Sequence, residues 1–195
     1  MSLHDLRESL ADFRDYLADF AWFWPGLIVS IAVGIAFGRR VGRALGTSSI
    51  LATGLILAAG LIASATLTPS REALMQGAVG TGRCELSRLG PAAVGELLRF
   101  GDPTFNVLLF VPLGLAIGLI PASRWKLVLG VGAFVLPFAI ETIQLLATGL
   151  GRGCQSSDVA DNLTGLVIGL VMGIVVGRLV PSARGRDLED GVQET

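Results

Sequence analysis

The sequence predicts an all-α integral membrane protein, a polytopic bundle of about five transmembrane helices preceded by an amphipathic interfacial helix. Hydrophobic residues make up 52% of the 195 positions and charged residues only 16%. Several apolar runs approach the roughly 20 residues that a helix needs to cross a bilayer. They do not alternate between polar and apolar residues in short segments, as the strands of a membrane β-barrel do. The formal net charge of −1 and the lack of a basic block argue against a nucleic-acid partner.

Residues 1–21 are predicted to form an amphipathic helix that lies along the membrane interface. Apolar residues follow one another here at steps of three and four: Leu3, Leu6, Leu10, Phe13, Leu17 and Phe20. The opposite face is mainly acidic. The segment is therefore unlike a signal peptide, which has a basic start and a continuous apolar core.

Five apolar stretches are predicted to span the membrane, in one domain from residue 22 to residue 180. Their predicted bounds are 22–38, 48–67, 105–120, 127–147 and 158–180. A polar connection over 70–104 separates the second span from the third, and residues 92–100 within it could form a short helix. The loop 148–157 joins the fourth span to the fifth. The polar tail 181–195 is predicted to be disordered and cytoplasmic.

Basic residues are concentrated next to one set of helix ends, which predicts the orientation of the bundle. They are Arg39, Arg40, Arg43, Arg124, Lys126, Arg178, Arg184 and Arg186. Cytoplasmic ends of membrane helices carry an excess of Lys and Arg. The sequence thus predicts a protein of the bacterial cytoplasmic membrane with the N-terminus, the 70–104 connection and the 148–157 loop outside.

The only two cysteines, Cys84 and Cys154, fall in segments predicted to share the outer face. Disulfides form on that side of the membrane because it is oxidising. A Cys84–Cys154 bridge is therefore predicted, with two buried free thiols as the alternative.

Glycines recur every four residues along two spans, which predicts close helix packing. The two series are Gly34, Gly38, Gly42, Gly46 and Gly165, Gly169, Gly173, Gly177. Such stripes let two helix backbones approach each other within the membrane. We expect packing within the chain, with a homo-oligomer as the alternative. Asp161 lies four residues before Gly165, so its side chain is predicted to point into the bundle.

A cluster of polar residues is predicted at the outer ends of the last three spans. A charge within a membrane helix costs about 3 kcal/mol, so such residues mark a site or a paired cluster. Glu141 and Gln144 share one helix face, as do Asp158 and Asn162, because they are three and four residues apart. Asn106 opens the third span at the same level, and Arg152 lies in the loop above.

These residues carry a resemblance to the VanZ-like family of bacterial membrane proteins, whose name comes from teicoplanin resistance. The similarity lies in the ordered set Asn106, Phe110-Val111-Pro112-Leu113-Gly114, Glu141-x-x-Gln144, Arg152, Asp158, Asn162, Gly165 and Gly169. Many members have a further acidic residue between positions 152 and 158, where this chain has Gln155. The resemblance implies a cell-envelope membrane protein connected with glycopeptide susceptibility.

Three functions remain open at this level. The first is recognition of a lipid-linked wall precursor or a glycopeptide by Asn106, Glu141, Gln144, Arg152, Asp158, Asp161 and Asn162, with Arg152 on a phosphate or carboxylate. The second is an enzyme acting on a lipid-linked phosphate, with Glu141 or Asp158 as general acid or base. In that case Glu141, Asp158 and Asp161 could hold Mg²⁺ or Ca²⁺, and no other cofactor is expected. The third is a purely structural polar cluster that fixes the helix ends.

Overall fold

The computed structural model describes residues 22–97 and 101–179, and it confirms an all-α membrane bundle. Within these residues, five helices are long and apolar enough to cross a membrane. The helices are α1 (Phe23–Leu45), α2 (Ser49–Thr66), α3 (Arg71–Gln76), α4 (Val94–Leu97), α5 (Asp102–Leu119), α6 (Arg124–Leu146) and α7 (Ser156–Leu179). The predicted interfacial helix over 1–21 and the predicted tail over 181–195 lie outside the described residues.

Helix α1 extends seven residues beyond the predicted end of the first span. The arginines that follow Gly38 continue the helix, since arginine is a good helix former. Gly46 ends it in the left-handed conformation, with φ of 67°, and its N–H donates to the carbonyl of Arg43. A residue with a side chain would be strained at this φ, so glycine makes a suitable helix stop.

The polar connection between α2 and α5 contains more regular structure than the sequence predicts. Ser70 is the N-cap of helix α3, and its hydroxyl accepts a hydrogen bond from the N–H of Ala73. The short strand β1 (Cys84–Glu85) follows and pairs in parallel with β2 (Cys154–Gln155), with Cys84 opposite Cys154. The short helix predicted over 92–100 corresponds to α4, which begins at Val94. Residues 98–100 lie outside the described residues.

Helices α5 and α7 pack backbone to backbone through the predicted glycine stripe. A Cβ atom on Gly165 would meet the carbonyl oxygen of Val107, and one on Gly169 would meet that of Val111. Gly173 is blocked in the same way by Leu115. The glycines of this stripe are therefore used for packing within the chain, which is what small residues in membrane helices allow.

The first glycine series packs α1 against α2 in the same manner. A Cβ on Gly38 would meet Thr53 and one on Gly42 would meet the Ser48 carbonyl oxygen. The hydroxyl of Thr53 also donates to the carbonyl of Gly34 at 3.1 Å. Both predicted glycine stripes therefore serve helix packing, and α1 and α2 form a second close pair.

The core lies between α2, α5 and α6. Phe110 and Ile140 are fully buried, and Ile62 and Ile117 are nearly so. By contrast, the outer faces of the long helices carry large apolar side chains that are more than half exposed, among them Ile28, Ile35, Leu127, Val131 and Phe134. Exposed apolar residues of this extent suit lipid contact rather than contact with water.

The polar residues of interest lie at one end of the bundle, here named the loop end. It is formed by Phe23 of α1, Thr66 of α2, Asp102 of α5, Leu146 of α6 and Ser156 of α7. The opposite end holds the α1–α2 and α5–α6 turns. At that end Lys126 donates hydrogen bonds to the last carbonyls of α5, those of Gly118 and Ile120.

Candidate functional site

Glu141 is a carboxylate within the last two turns of α6, and it is tied to the loop that precedes α7. Glu141 is only 5% exposed. Its Oε2 accepts a hydrogen bond of 2.7 Å from the backbone N–H of Gln155. A buried carboxylate needs such a donor, because desolvation without hydrogen bonds is costly. The strand residue after Cys154 therefore fixes one oxygen of Glu141.

Glu141 lines a groove of about 590 Å³ between α6 and α7 at the loop end. Segment 84–92, here named the covering segment, forms one side of it. The described residues that line the groove are Cys84, Leu86, Leu89, Pro91, Phe138, Glu141, Thr142, Leu145, Cys154, Gln155, Ser156, Val159, Ala160 and Leu163. Glu141 is the one ionisable side chain among these residues. The groove is thus an apolar slot that contains a single carboxylate.

A disulfide fastens the covering segment to the loop before α7. Cys84 and Cys154 are bonded to each other, which confirms the predicted bridge. Further along, the Ser156 hydroxyl donates to the carbonyl of Arg88 at 2.7 Å. The covalent bridge and the parallel strand pair hold the first residues of the covering segment beside Gln155. The segment that borders the groove and the N–H group that binds Glu141 are therefore fixed together.

The other end of the covering segment is fixed by an ion pair with Asp161. Arg88 binds both carboxylate oxygens, Nη1 to Oδ1 at 3.1 Å and Nη2 to Oδ2 at 2.5 Å. The N–H of Ala92 adds a bond of 2.9 Å to Oδ1. These bonds with Asp161 raise the pKa of the Arg88 guanidinium above its ordinary value, although burial opposes the shift. The Arg88 guanidinium thus anchors the segment to Asp161.

Asp161 is buried, as the glycine stripe predicts. It is not one of the residues that line the groove, because its carboxylate faces the covering segment. Its exposed fraction is 1%, and its two oxygens accept three hydrogen bonds from the covering segment. A bidentate arginine is a strong and directional partner for a carboxylate. In this structure Asp161 acts as an anchor for the covering segment.

Gln144 and Arg152 are both connected to the end of α2. The Gln144 amide Nε2 donates to the carbonyl of Thr66 at 2.9 Å, and the contact is buried. Arg152 Nε donates to the carbonyl of Thr68 at 2.8 Å, and Arg152 has further interactions. Carbonyls at a helix C-terminus have no partner within the helix, so these side chains satisfy them. Neither residue is among those that line the groove.

Asp158, Asn162 and Asn106 lie at the facing starts of α7 and α5. Asp158 is half-buried, accepts a hydrogen bond of 3.5 Å from the Ser157 hydroxyl and lies near the carboxylates of Asp102 and Asp161. Asn162 is 1% exposed, and its Oδ1 has no hydrogen-bond partner. Asn106 is half-buried on α5. This region is acidic and separate from the groove.

The predicted polar cluster therefore divides into four parts of the loop end. Glu141 belongs to the groove, Asp161 to the ion pair, Asp158 to the acidic region, and Gln144 with Arg152 to the contacts at the end of α2. Over residues 22–97 and 101–179, no three His, Cys, Asp or Glu side chains come together in a way that could hold a metal ion.

Sequence reasoning missed Arg88 and the N–H of Gln155. Arg88 is separated from Asp161 by 73 residues and lies in a polar connection that holds several other arginines. The signal that could have revealed it is Asp161 itself, because a carboxylate on an inward-facing stripe requires a cationic partner. A backbone donor such as Gln155 N–H has no signature in the side-chain sequence.

Comparisons with known proteins give one match. The model of the VanZ/LLP1 family matches residues 55–177, which is more than half of the chain and includes every residue predicted for the site. No curated protein matches this sequence. No solved structure matches it either.

Proposed function

Because the chain belongs to the VanZ-like family, we propose that it recognises an amphiphilic ligand of the bacterial cell envelope in the groove between α6 and α7. The ligand class is a lipid-linked wall precursor or a glycopeptide, and binding contributes to glycopeptide (teicoplanin) resistance. One observation carries the proposal, which is the presence of the Glu141 carboxylate in a groove that is lined mostly by apolar residues. Ligand sites are mostly apolar with a few fixed polar groups.

The surroundings of the groove support an amphiphilic ligand. Leu86 is 69% exposed and Leu89 is 81% exposed, and both belong to the covering segment outside the spans. Phe138 of α6 is also exposed, at 46%. An apolar surface that extends from a membrane helix to a connecting segment suits a molecule with an apolar chain and a polar head.

The proposal includes the orientation of the site towards the outer face. The bridge between Cys84 and Cys154 supports it, because disulfides persist on the oxidising side of the cytoplasmic membrane. The arginines at the end of α1 and the basic residues of the α5–α6 turn lie at the opposite end of the bundle and support a cytoplasmic location there.

A structural role is the second candidate, and specific contacts favour it for some of the residues. Asp161 is satisfied by Arg88, and Gln144 and Arg152 bind carbonyls at the end of α2. These contacts join α2, α6, α7 and the covering segment. We propose that Gln144, Arg152 and Asp161 hold the loop end together while Glu141 meets the ligand.

An enzyme that acts on a lipid-linked phosphate is less well supported than recognition. A mechanism that uses both Glu141 and Asp158, with or without Mg²⁺ or Ca²⁺, would need the two carboxylates to act on one reacting group. Glu141 lines the groove, whereas Asp158 is not among the groove residues. Turnover of purified polyprenyl phosphates by the reconstituted protein, in the presence or absence of either ion, would restore the catalytic proposal.

The test of recognition is a Glu141→Gln variant in a glycopeptide-sensitive bacterial host. The Gln155 N–H can still donate to the amide oxygen of glutamine, so we expect normal membrane insertion but loss of the increase in glycopeptide tolerance. The control is Glu72→Gln, which changes an exposed carboxylate of α3. If Glu141→Gln fails to insert, a structural role of Glu141 is indicated. Unchanged tolerance of the inserted variant would contradict the recognition proposal.

A further inference from the structure

We infer that the groove between α6 and α7 selects an amphiphile whose headgroup is a protonated amine. This inference rests on the proposed function, since it names the chemical class of ligand that the groove takes. It narrows that proposal, because it favours cationic amphiphiles over the phosphate-bearing lipids, lipid-linked phosphates included, that the same groove could accommodate by shape alone.

The charge of the groove is the first argument. Among the described residues that line it, Glu141 is the one ionisable group, and none is Lys, Arg or His. The closest guanidinium on the covering segment, Arg88, is bound to Asp161 and to the carbonyl of Gly90. A single carboxylate in an apolar site attracts an ammonium and repels a phosphate.

The hydrogen-bonding capacity of the groove is the second, independent argument. The Thr142 hydroxyl already donates to the carbonyl of Phe138 at 2.8 Å, and the Ser156 hydroxyl already donates to the carbonyl of Arg88. Their hydrogen atoms are committed, so both oxygens can only accept. The backbone N–H of Gln155 is likewise committed to Glu141, which leaves the Gln155 amide as the one further side-chain donor among the described lining residues.

Glu141 adds a further hydrogen-bond acceptor to the groove. Oε2 accepts the bond from Gln155, while Oε1 accepts none from the part of the chain that the structure describes. Glu141 Oε1 and the hydroxyl oxygens of Thr142 and Ser156 are therefore acceptors that receive no hydrogen bond from the described residues. A primary ammonium has three N–H donors and no acceptor, which matches this set. A phosphate presents acceptors, and among the side chains of the groove it would meet a donor only in the Gln155 amide.

The apolar sides of the groove account for the remainder of the ligand. Leu86 and Leu89 of the covering segment face it from one side, and Phe138, Leu145 and Leu163 contribute from α6 and α7. An alkyl chain placed there would cover leucine surface that is otherwise exposed. The occupant is thus an alkyl or acyl chain that carries an amine near Glu141.

The inference can be tested with three photoactivatable probes that share one alkyl chain and differ in the head, which is an amine, an alcohol or a phosphate. The whole protein is reconstituted in nanodiscs of phosphatidylcholine, and each probe is added at the same membrane concentration. Labelled peptides are identified by mass spectrometry. We expect the amine probe to label peptides containing Phe138, Leu145 or Leu163 about tenfold more than the phosphate probe does.

The Glu141→Gln variant should lose this preference, and the Glu72→Gln control should retain it. If the wild-type groove is labelled by the phosphate or alcohol probe as strongly as by the amine probe, the inference is overturned although recognition of amphiphiles stands. If no probe labels the groove above the level of other lipid-facing peptides, the proposed function fails as well. The comparison of probes on the wild-type protein does not depend on how any variant folds.

Discussion

Asp161 illustrates how one buried charge determines the position of a distant segment. Asp161 is 1% exposed, and among the described residues Arg88 and Ala92 donate hydrogen bonds to its carboxylate. Removal of one member of a buried ion pair leaves the other charge desolvated, which typically costs about 3–5 kcal/mol. The covering segment should therefore depend strongly on Arg88.

We expect Arg88→Ala to lower the free energy of unfolding by about 3 kcal/mol. The measurement is the thermal unfolding midpoint of the purified protein in detergent. Arg83→Ala is the matched control, because Arg83 is an exposed arginine of the same connection. Equal unfolding midpoints for the two variants would contradict the anchoring role of Arg88.

Two buried amides at the loop end should respond differently to truncation. Gln144 donates to the carbonyl of Thr66, whereas Asn162 Oδ1 has no partner. Gln144→Ala leaves a buried carbonyl unsatisfied, so we expect it to cost about 1–3 kcal/mol of stability, and Asn162→Ala to cost less. Chemical denaturation of the two variants measures the difference. A larger loss for Asn162→Ala would mean that its amide makes a contact that stabilises the fold.

Some of these residues could be predicted individually from the sequence and others could not. Glu141 and Asp161 stand out because each is an acidic residue within an apolar helix. Arg88 does not stand out from its polar surroundings in the sequence. Its partner Asp161 is also 73 positions away along the chain. The partners of Gln144 and Arg152 are backbone carbonyls, which every residue possesses, so no sequence pattern marks them.

The α5–α7 pair depends on glycine at particular positions rather than on glycine content. A Cβ on Gly169 would collide with the carbonyl oxygen of Val111 and lie 2.8 Å from the N–H nitrogen of Leu115. Backbone atoms cannot move aside as a flexible side chain can. Gly130 of α6, by contrast, has nothing within 4 Å of the position of a Cβ.

We expect Gly169→Ala to destabilise the protein by about 1–3 kcal/mol, because the two helices must move apart. Gly130→Ala should be neutral or stabilising, since alanine favours a helix by up to about 1 kcal/mol over glycine. Thermal unfolding of both variants in the same detergent provides the comparison. If the two glycines tolerate alanine equally well, close backbone packing does not limit stability.

The helices were the part of the fold most open to prediction, because their apolar lengths and glycine periods are local patterns. Their ends were harder to predict. The sequence suggests that α1 stops at Gly38, where the arginines begin, but the helix continues to the left-handed Gly46. The structure within the 70–104 connection was also missed, since α3 has six residues and β1 has two.

The orientation of the bundle remains a prediction, and the cysteines offer a direct measurement of it. After mild reduction, a membrane-impermeant maleimide added to intact spheroplasts should label Cys84, which is exposed, whereas Cys154 is buried. The physical reason is that the loop end, which carries both residues, is predicted to face outward. The control is labelling without reduction, which should be absent. Labelling that requires permeabilised membranes would reverse the proposed orientation.

The Cys84–Cys154 bridge has a consequence for the order of events during biosynthesis. The chain between the two cysteines contains both α5 and α6, so it crosses the membrane twice and returns to the side from which it started. The bridge can close only after residue 154 has emerged from the ribosome and both cysteines have reached the same side of the membrane. A chain that placed one of these helices incorrectly would keep its cysteines on opposite sides of the bilayer. Bridge formation therefore excludes a nascent chain in which only one of these two helices has crossed the bilayer.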